Sequence, residues 1–241
     1  MNKLAFISEV NASNWDAMVE KYGIKYADVF TKNRKYTVET EDGKECSCYT
    51  ISNGNAFDCP ALKEGRCSVP CYGLKRCYVW DTTKINKEFQ KKVLEFAPIE
   101  WLLKAIKHLA TSKRIKQGNK LTELRFNEVS DLTQSLLDKI VKLCVAMLMD
   151  DDTQAIKVFT YTKMANLDFT KASILPNLAI NTSQAINPVY ENGNIYFAVD
   201  EATYDSIKEN DIVKKCNCDI ACKKCGYCYE DNGLFIYAKI H

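Results

Sequence analysis

The chain has 241 residues, 46% of them apolar and 27% charged, which excludes collagen, coiled coil and wholesale disorder and is enough for one sizeable core. Thirty-three Lys+Arg against 31 Asp+Glu leave a formal charge of +2, so no global field draws the protein to nucleic acid or membrane. No apolar run approaches a membrane span, and the apolar start Leu4–Ile7 is too short for a secretory signal. A cytoplasmic location is therefore expected, in a reducing compartment where thiols persist as thiols or bind metal.

The first 80 residues read as irregular and turn-rich. Ser13 and Asp16 resemble a capping box, after which Trp15, Met18, Val19 and Tyr22 repeat at helical spacing until Gly23. A hairpin is expected around Asp42-Gly43, with residues 36–40 as its first arm. From Cys46 to Cys77 no period holds, because Gly54, Gly65, Gly73, Pro60 and Pro70 interrupt it. Such a segment is ordered by ligands rather than by a core.

Residues 81–213 change character. Lys84 to Phe96 predicts a helix, and Pro98 is placed to begin another whose stripe is Leu102, Ala105, Ile106 and Leu109. Leu121 to Asn127 reads as a strand. Ser130 or Asp131 then caps a helix to about Met149, burying Leu137, Ile140, Val141, Cys144 and Leu148. Strands at Ala155–Tyr161 and Leu178–Asn181 follow, with a hairpin at Asn192-Gly193 whose second arm is Ile195 to Val199. A short helix at Glu201–Lys208 precedes the terminal segment 214–241, which closes with a strand from Leu234 to Ile240.

Strand–helix–strand alternation predicts one α/β domain, either a mostly parallel sheet or a partial, irregular βα barrel. The strands run into polar C-terminal ends, and in a parallel sheet those ends share one rim where sites are built. Arg125, Asn127, Tyr161 and Lys163 are thus the candidates for binding a small molecule or nucleotide.

One number is abnormal: there are 12 Cys, six from Cys46 to Cys77, five from Cys216 to Cys228, and Cys144 alone. The terminal run Cys216-x-Cys218-x3-Cys222-x2-Cys225-x2-Cys228 lets one loop wrap one centre. Its steps suit zinc or a [4Fe–4S] cluster, and the closely packed C-x2-C-x2-C looks more like ferredoxin-type cluster binding. The ligand candidates are Cys218, Cys222, Cys225 and Cys228. Cys59, Cys67 and Cys71 of the looser early set either complete that centre or hold a second one, with Cys77 an alternative member. Cys144, on an apolar helix face, reads as a packed thiol. Cys218-x3-Cys222-x2-Cys225 also matches the spacing of radical S-adenosylmethionine enzymes. There, however, the motif belongs to the loop after the first barrel strand and a Gly-Gly-Glu follows the second. Here it lies at the far end of the chain and no Gly-Gly occurs, so radical chemistry is not the first expectation.

Two His nearly exclude a His-rich catalytic zinc site: His108 reads as a surface side chain, and terminal His241 as an unusual ligand at most. A basic stretch with Lys104, Lys107, Lys113, Arg114, Lys116 and Lys120 is either a solvated helix end or a phosphate-backbone contact.

Taken together, Cys59-Pro60, Cys67-x3-Cys71-Tyr72, Arg125-x-Asn127 with Asp131, Tyr161-Thr162-Lys163, the Cys218/Cys222/Cys225/Cys228 cluster and the ending Ile240-His241 resemble the gene-product-eighty-eight-like proteins of phages and mobile elements. The resemblance covers about residues 50 to 241. Cys46, Cys48, Cys216 and the longer gap to Cys77 depart from the family pattern. It implies an α/β fold similar to radical-SAM barrels, an iron–sulfur centre, and the cytoplasm of an infected bacterial host. It supplies no reaction. The leading expectation is an iron–sulfur cluster-binding protein with a redox or radical-SAM-like role left open. The alternative is a zinc-stapled nucleic-acid-binding protein of phage replication or regulation, contacting nucleic acid through Lys113, Arg114 and Lys116. An exported, disulfide-stabilised protein is a third.

Overall fold

The structure, a computed structural model, describes residues 2–39, 45–66, 80–111, 120–183, 188–216, 227–229 and 231–239. Eight strands form one sheet: β1 (Thr31–Glu39), β2 (Glu45–Ile51), β3 (Lys120–Phe126), β4 (Lys157–Thr162), β5 (Leu178–Ser183), β6 (Ile195–Val199), β7 (Val213–Cys216) and β8 (Phe235–Lys239). Their order is β1-β2-β3-β4-β5-β6-β8-β7. β1 pairs antiparallel with β2, and every other neighbour pair is parallel. Of the two expected forms, the fold is therefore the mostly parallel sheet. Among the described residues β1 and β7 are its edges, and it does not close into a barrel.

The helices are α1 (Lys3–Glu9), α2 (Trp15–Tyr22), α3 (Pro60–Lys63), α4 (Asp81–Phe96), α5 (Ile99–Ala110), α6 (Gln134–Leu148) and α7 (Glu201–Ser206). α1 and α3 carry too few turns for periodicity to reveal them. Gly23 ends α2 in the left-handed region, φ 60°, as its glycine suggests. The start of α2 differs from expectation: Asn14 is the N-cap, and the Ser13 hydroxyl bonds Asn11 Oδ1 at 2.6 Å. Pro98 is the N-cap of α5 rather than its first residue. α6 is capped by Thr133, whose side chain accepts from Leu136 N–H at 3.3 Å, and not by Ser130 or Asp131. Ser130 is left-handed, φ 73°, and Asp131 is engaged elsewhere. Met147 and Leu143 take the buried places on α6, leaving Leu148 half-buried.

Side chains alternate across each strand, so the sheet has two faces of different content. One packs the helices: Leu124, Val158, Leu178 and Ile180 meet Phe89, Leu102, Ile106, Leu137 and Ile140 in the principal core. Phe6 docks there against Trp15, Phe89 and Tyr22, with ring centroids 5.4–6.1 Å apart. The opposite face buries a second cluster that includes Cys48, Phe159, Ala179, Cys216, Ile236 and Ala238, with Cys228, Tyr229 and Leu234 laid over it and no helical residue among its members.

The expected hairpin at Asn192-Gly193 does not exist as an antiparallel unit. β5 and β6 run parallel, pairing Thr182 with Ile195 and Ser183 with Tyr196. The Asn-Gly pair turns within a longer crossover, where Gly193 N–H donates to Tyr190 O at 2.9 Å. By contrast, β1 and β2 do pair antiparallel, as expected of a hairpin, with the turn itself outside the described residues.

Candidate functional site

Because β2 to β8 are parallel, their C-terminal ends lie along one rim, and the connections that carry Cys59 and follow Cys216 start from it. Cys46 and Cys48 lie on β2 itself, although the sequence shows no period there, and Cys59 lies in the connection leaving its end. Cys216 is the last residue of β7. The connection after β2 is fixed by α4. Gln90 Oε1 accepts from Ser52 N–H at 3.1 Å, and Glu88 Oε1 accepts from Asn55 N–H at 3.2 Å and from the Asn55 amide. Gly54, with φ 107°, makes the turn between them, a conformation that side-chain-bearing residues rarely adopt. Half-buried Cys59 then precedes Pro60, which opens α3.

The terminal segment is held by buried asparagines. Asn181 Nδ2 donates to Cys228 O at 3.0 Å and to Thr160 O at 3.3 Å. Asn194, fully buried, donates to Asn181 Oδ1 at 3.1 Å and Tyr227 O at 3.0 Å, and accepts from Leu234 N–H at 3.0 Å and Asn232 N–H at 3.2 Å. Tyr229 packs edge-on against Phe159, centroids 4.9 Å apart. Just outside this network Tyr190 donates its hydroxyl to Asp231 Oδ2 at 2.6 Å and accepts from Ile180 N–H at 3.1 Å. Burial, chiefly, pushes Asp231 up to about 6, against the opposing Tyr190 hydrogen bond. Nothing in the local sequence marks Asn194 as a keystone, because these partners lie elsewhere in the chain.

Of the small-molecule candidates, the structure brings Arg125 and Tyr161 together on the helix-free face, with the guanidinium carbon 5.0 Å from the ring centroid. Tyr196 packs on the same ring at 5.2 Å. Asn127 follows β3 with φ 57°, its N–H donating to Ile51 O at 3.0 Å. Lys163 ends the β4 rim, where its N–H donates to Asp131 Oδ2 at 3.0 Å. Asp131 Oδ1 accepts from the Thr162 hydroxyl at 2.6 Å and from Leu132 N–H at 2.7 Å, so this carboxylate ties the β3 exit to the β4 exit. Burial holds its pKa above the usual carboxylate range despite those donors. Glu128 goes the other way. Burial opposes its ionisation, but the charge and 2.5 Å hydrogen bond of Lys87 outweigh it, helped by Arg125 and Thr50, and its carboxyl stays below the usual range.

Of the ligand candidates, Cys228 and Cys59 are described, whereas Cys67, Cys71, Cys218, Cys222 and Cys225 lie outside the described residues. Cys216 and Cys228 are 3% and 6% exposed. Among the described residues no three His, Cys, Asp or Glu are grouped to hold a metal ion. Cys144 is fully buried on α6, and burial drives its thiol far above its ordinary pKa, the inert thiol expected. His108 is exposed beside Tyr26, as expected, and His241 lies outside the described residues. Lys107 is bound by Asp150 at 2.7 Å and Asp152 at 3.3 Å, while Lys113, Arg114 and Lys116 fall outside the described residues. No described helix is long and apolar enough to cross a membrane. An open depression lined by Gln134, Asp138, Asn166, Asp168 and Lys171 lies on the α6 side and includes none of these candidates.

Comparison with known protein families, with curated proteins and with solved structures finds no match for this chain.

Proposed function

We propose that the protein binds an iron–sulfur cluster, of the [4Fe–4S] type, at the C-terminal rim of its parallel sheet. The ligands are Cys218, Cys222, Cys225 and Cys228, and Cys59, Cys67 and Cys71 complete that centre or hold a second one. The observation that carries this is topological. The early cysteine connection leaves the C-terminal end of β2 and the late one leaves the C-terminal end of β7, and parallel strands deliver both to the same edge. Donor chemistry agrees. Cys228 and Cys216 are buried among Phe159, Tyr229 and aliphatic side chains, a dry surrounding in which soft sulfur ligands suit iron or zinc.

A bound cluster supplies one-electron chemistry. The chain's own part is to place and shield it. Asn181 fixes the Cys228 carbonyl and Asn194 the neighbouring Tyr227 carbonyl, while Phe159, Tyr161, Tyr196 and Tyr229 keep water from the sheet face beneath. The first parallel strand is followed by the Cys59–Cys77 stretch, the position that radical-SAM barrels reserve for their cluster loop. This supports the resemblance to the phage gene-product-eighty-eight-like family, and with it a bacterial cytoplasmic setting. Arg125, Asn127, Tyr161 and Lys163 then line the place for a small molecule or nucleotide.

Strictly anaerobic preparation followed by iron, sulfide and zinc analysis and EPR tests this. About four irons per chain are expected for one [4Fe–4S] centre, falling in Cys228→Ser. A colourless protein with stoichiometric zinc and no iron overturns it and favours the zinc-stapled nucleic-acid-binding reading instead.

A further inference from the structure

Four buried polar atoms where β2 and β3 end have no hydrogen-bond partner among the described residues: Ser52 Oγ, Asn127 Oδ1 and Nδ2, and Ser130 Oγ. Ser52 is fully buried and Asn127 is 4% exposed. They are register neighbours, since Ile51 pairs with Phe126 and Asn127 N–H continues the ladder to Ile51 O. Asn127 and Ser130, at φ 57° and 73°, are also the two non-glycine residues with positive φ among the described ones. Buried polar groups in folded proteins are bonded, and left-handed non-glycine residues persist where something else requires them. Here both departures coincide at Asn127 and Ser130 in the connection leaving β3, with Ser52 beside them at the end of β2, on the edge of a parallel sheet where ligands bind in α/β folds.

The charged side chains around these atoms are engaged elsewhere. Lys87 holds Glu128, Arg125 stacks on Tyr161, and Asp131 is saturated by Thr162, Leu132 and Lys163. The groups of Ser52, Asn127 and Ser130 themselves are neutral: one amide acceptor, two amide donors and two hydroxyls. We propose that this part of the rim takes the uncharged amide-like edge of a small ligand, an acceptor beside a donor, and that Asn127 reads that edge with Ser52 and Ser130 in support. A carboxamide and a nucleobase both present such an edge. The flat Arg125–Tyr161 pair, two residues along β3, is the adjoining surface for the rest of a planar molecule. The inference deepens the small-molecule part of the proposed function and does not depend on which metal is bound.

Calorimetry on the anaerobically prepared full chain tests it, with nicotinamide and cytidine as probes and nicotinate as the charged counterpart. Nicotinamide or cytidine is expected to bind, and which of the two binds identifies the source of the edge. Asn127→Asp should weaken that binding about tenfold or more, because one of its partners is left unpaired. Ser52→Ala, a smaller change at a strand end, repeats the comparison should the first variant fail to fold. No binding of either probe at roughly 10 mM overturns the proposal, because so weak an interaction is no built site. Nicotinate binding as tightly as nicotinamide, or affinity unchanged in both variants, overturns it as well. Metal analysis of the same sample separates the two claims: iron without amide binding defeats this inference alone, and amide binding without iron defeats the cluster alone.

Discussion

Replacing Asn194 by leucine keeps the volume of a fully buried side chain and deletes four hydrogen bonds, to Asn181 Oδ1, Tyr227 O, Asn232 N–H and Leu234 N–H, all between 3.0 and 3.2 Å. At about 1 kcal/mol net per bond, the loss is about 4 kcal/mol, and the orphaned Leu234 N–H raises rather than lowers that figure. Against a whole stability of about 5–15 kcal/mol this is a large fraction. With a urea dependence of about 3 kcal/mol per molar, the unfolding midpoint should fall by about 1.3 M. The measurement is urea unfolding followed by far-UV circular dichroism and by tyrosine fluorescence, whose transitions must coincide for the conversion to hold. Alkylation of Cys228 under native conditions should accelerate in the same variant, because the adjacent Tyr227 loses its anchor and Asn181 loses the donor that orients it. A midpoint shift below about 0.3 M, with unchanged slope and unchanged Cys228 labelling, refutes the view that this asparagine network holds the terminal segment on the sheet.

Three other outcomes follow from the same geometry. Asp231, raised to about 6 in the folded state against about 3.9 unfolded, keeps a proton that the unfolded chain has lost between those values, so its contribution makes stability fall as pH rises from 4 to 6. Asp231→Asn should flatten that slope in midpoints measured across this range, and an unchanged slope contradicts the assignment. Lys139, lowered to about 8 by burial with Glu95 opposing and donating to Glu95 O at 3.2 Å, should show half-maximal acetylation near pH 8, well below the other lysines, in competitive labelling read by mass spectrometry. Titration together with the bulk lysines would show that its ammonium is solvated. Cys144 should resist iodoacetamide until the protein is unfolded; labelling at native conditions would mean that α6 opens.

Much of the fold was legible because its signals are local. The stripe Leu102, Ala105, Ile106 and Leu109 is buried on α5, and Ile140, Val141 and Cys144 are buried on α6, because the 3.6-residue period is written in consecutive residues. The rim could be read from the same kind of signal: Arg125, Asn127 and Tyr161 do fall at or just beyond strand ends. Caps were less legible. Thr133, Ser130 and Asp131 are all competent N-caps, and the choice fell to Thr133 because Asp131 is claimed by Thr162 and Lys163 across the sheet. The Asn192-Gly193 pair reads as a hairpin for the same reason it misleads. Turn chemistry specifies a change of direction, but not which strand the chain pairs with afterwards.

The sequence by itself determined the longer helices and the strands β3 to β6 and β8, the α/β alternation and the excess of thiols in two runs, since composition and short-range periodicity are properties of neighbouring residues. Only the tertiary structure decided that β5 and β6 are parallel, that β8 enters between β6 and β7, and that Cys48 of an early strand joins Cys216 and Cys228 in one buried cluster. It also decided that Asn127, an ordinary residue after an ordinary strand, holds a buried amide without a partner among the described residues. The physical reason is common to all four. Strand pairing, burial and hydrogen-bond satisfaction are set by residues far apart in the chain, and nothing in a local window records which of them will meet.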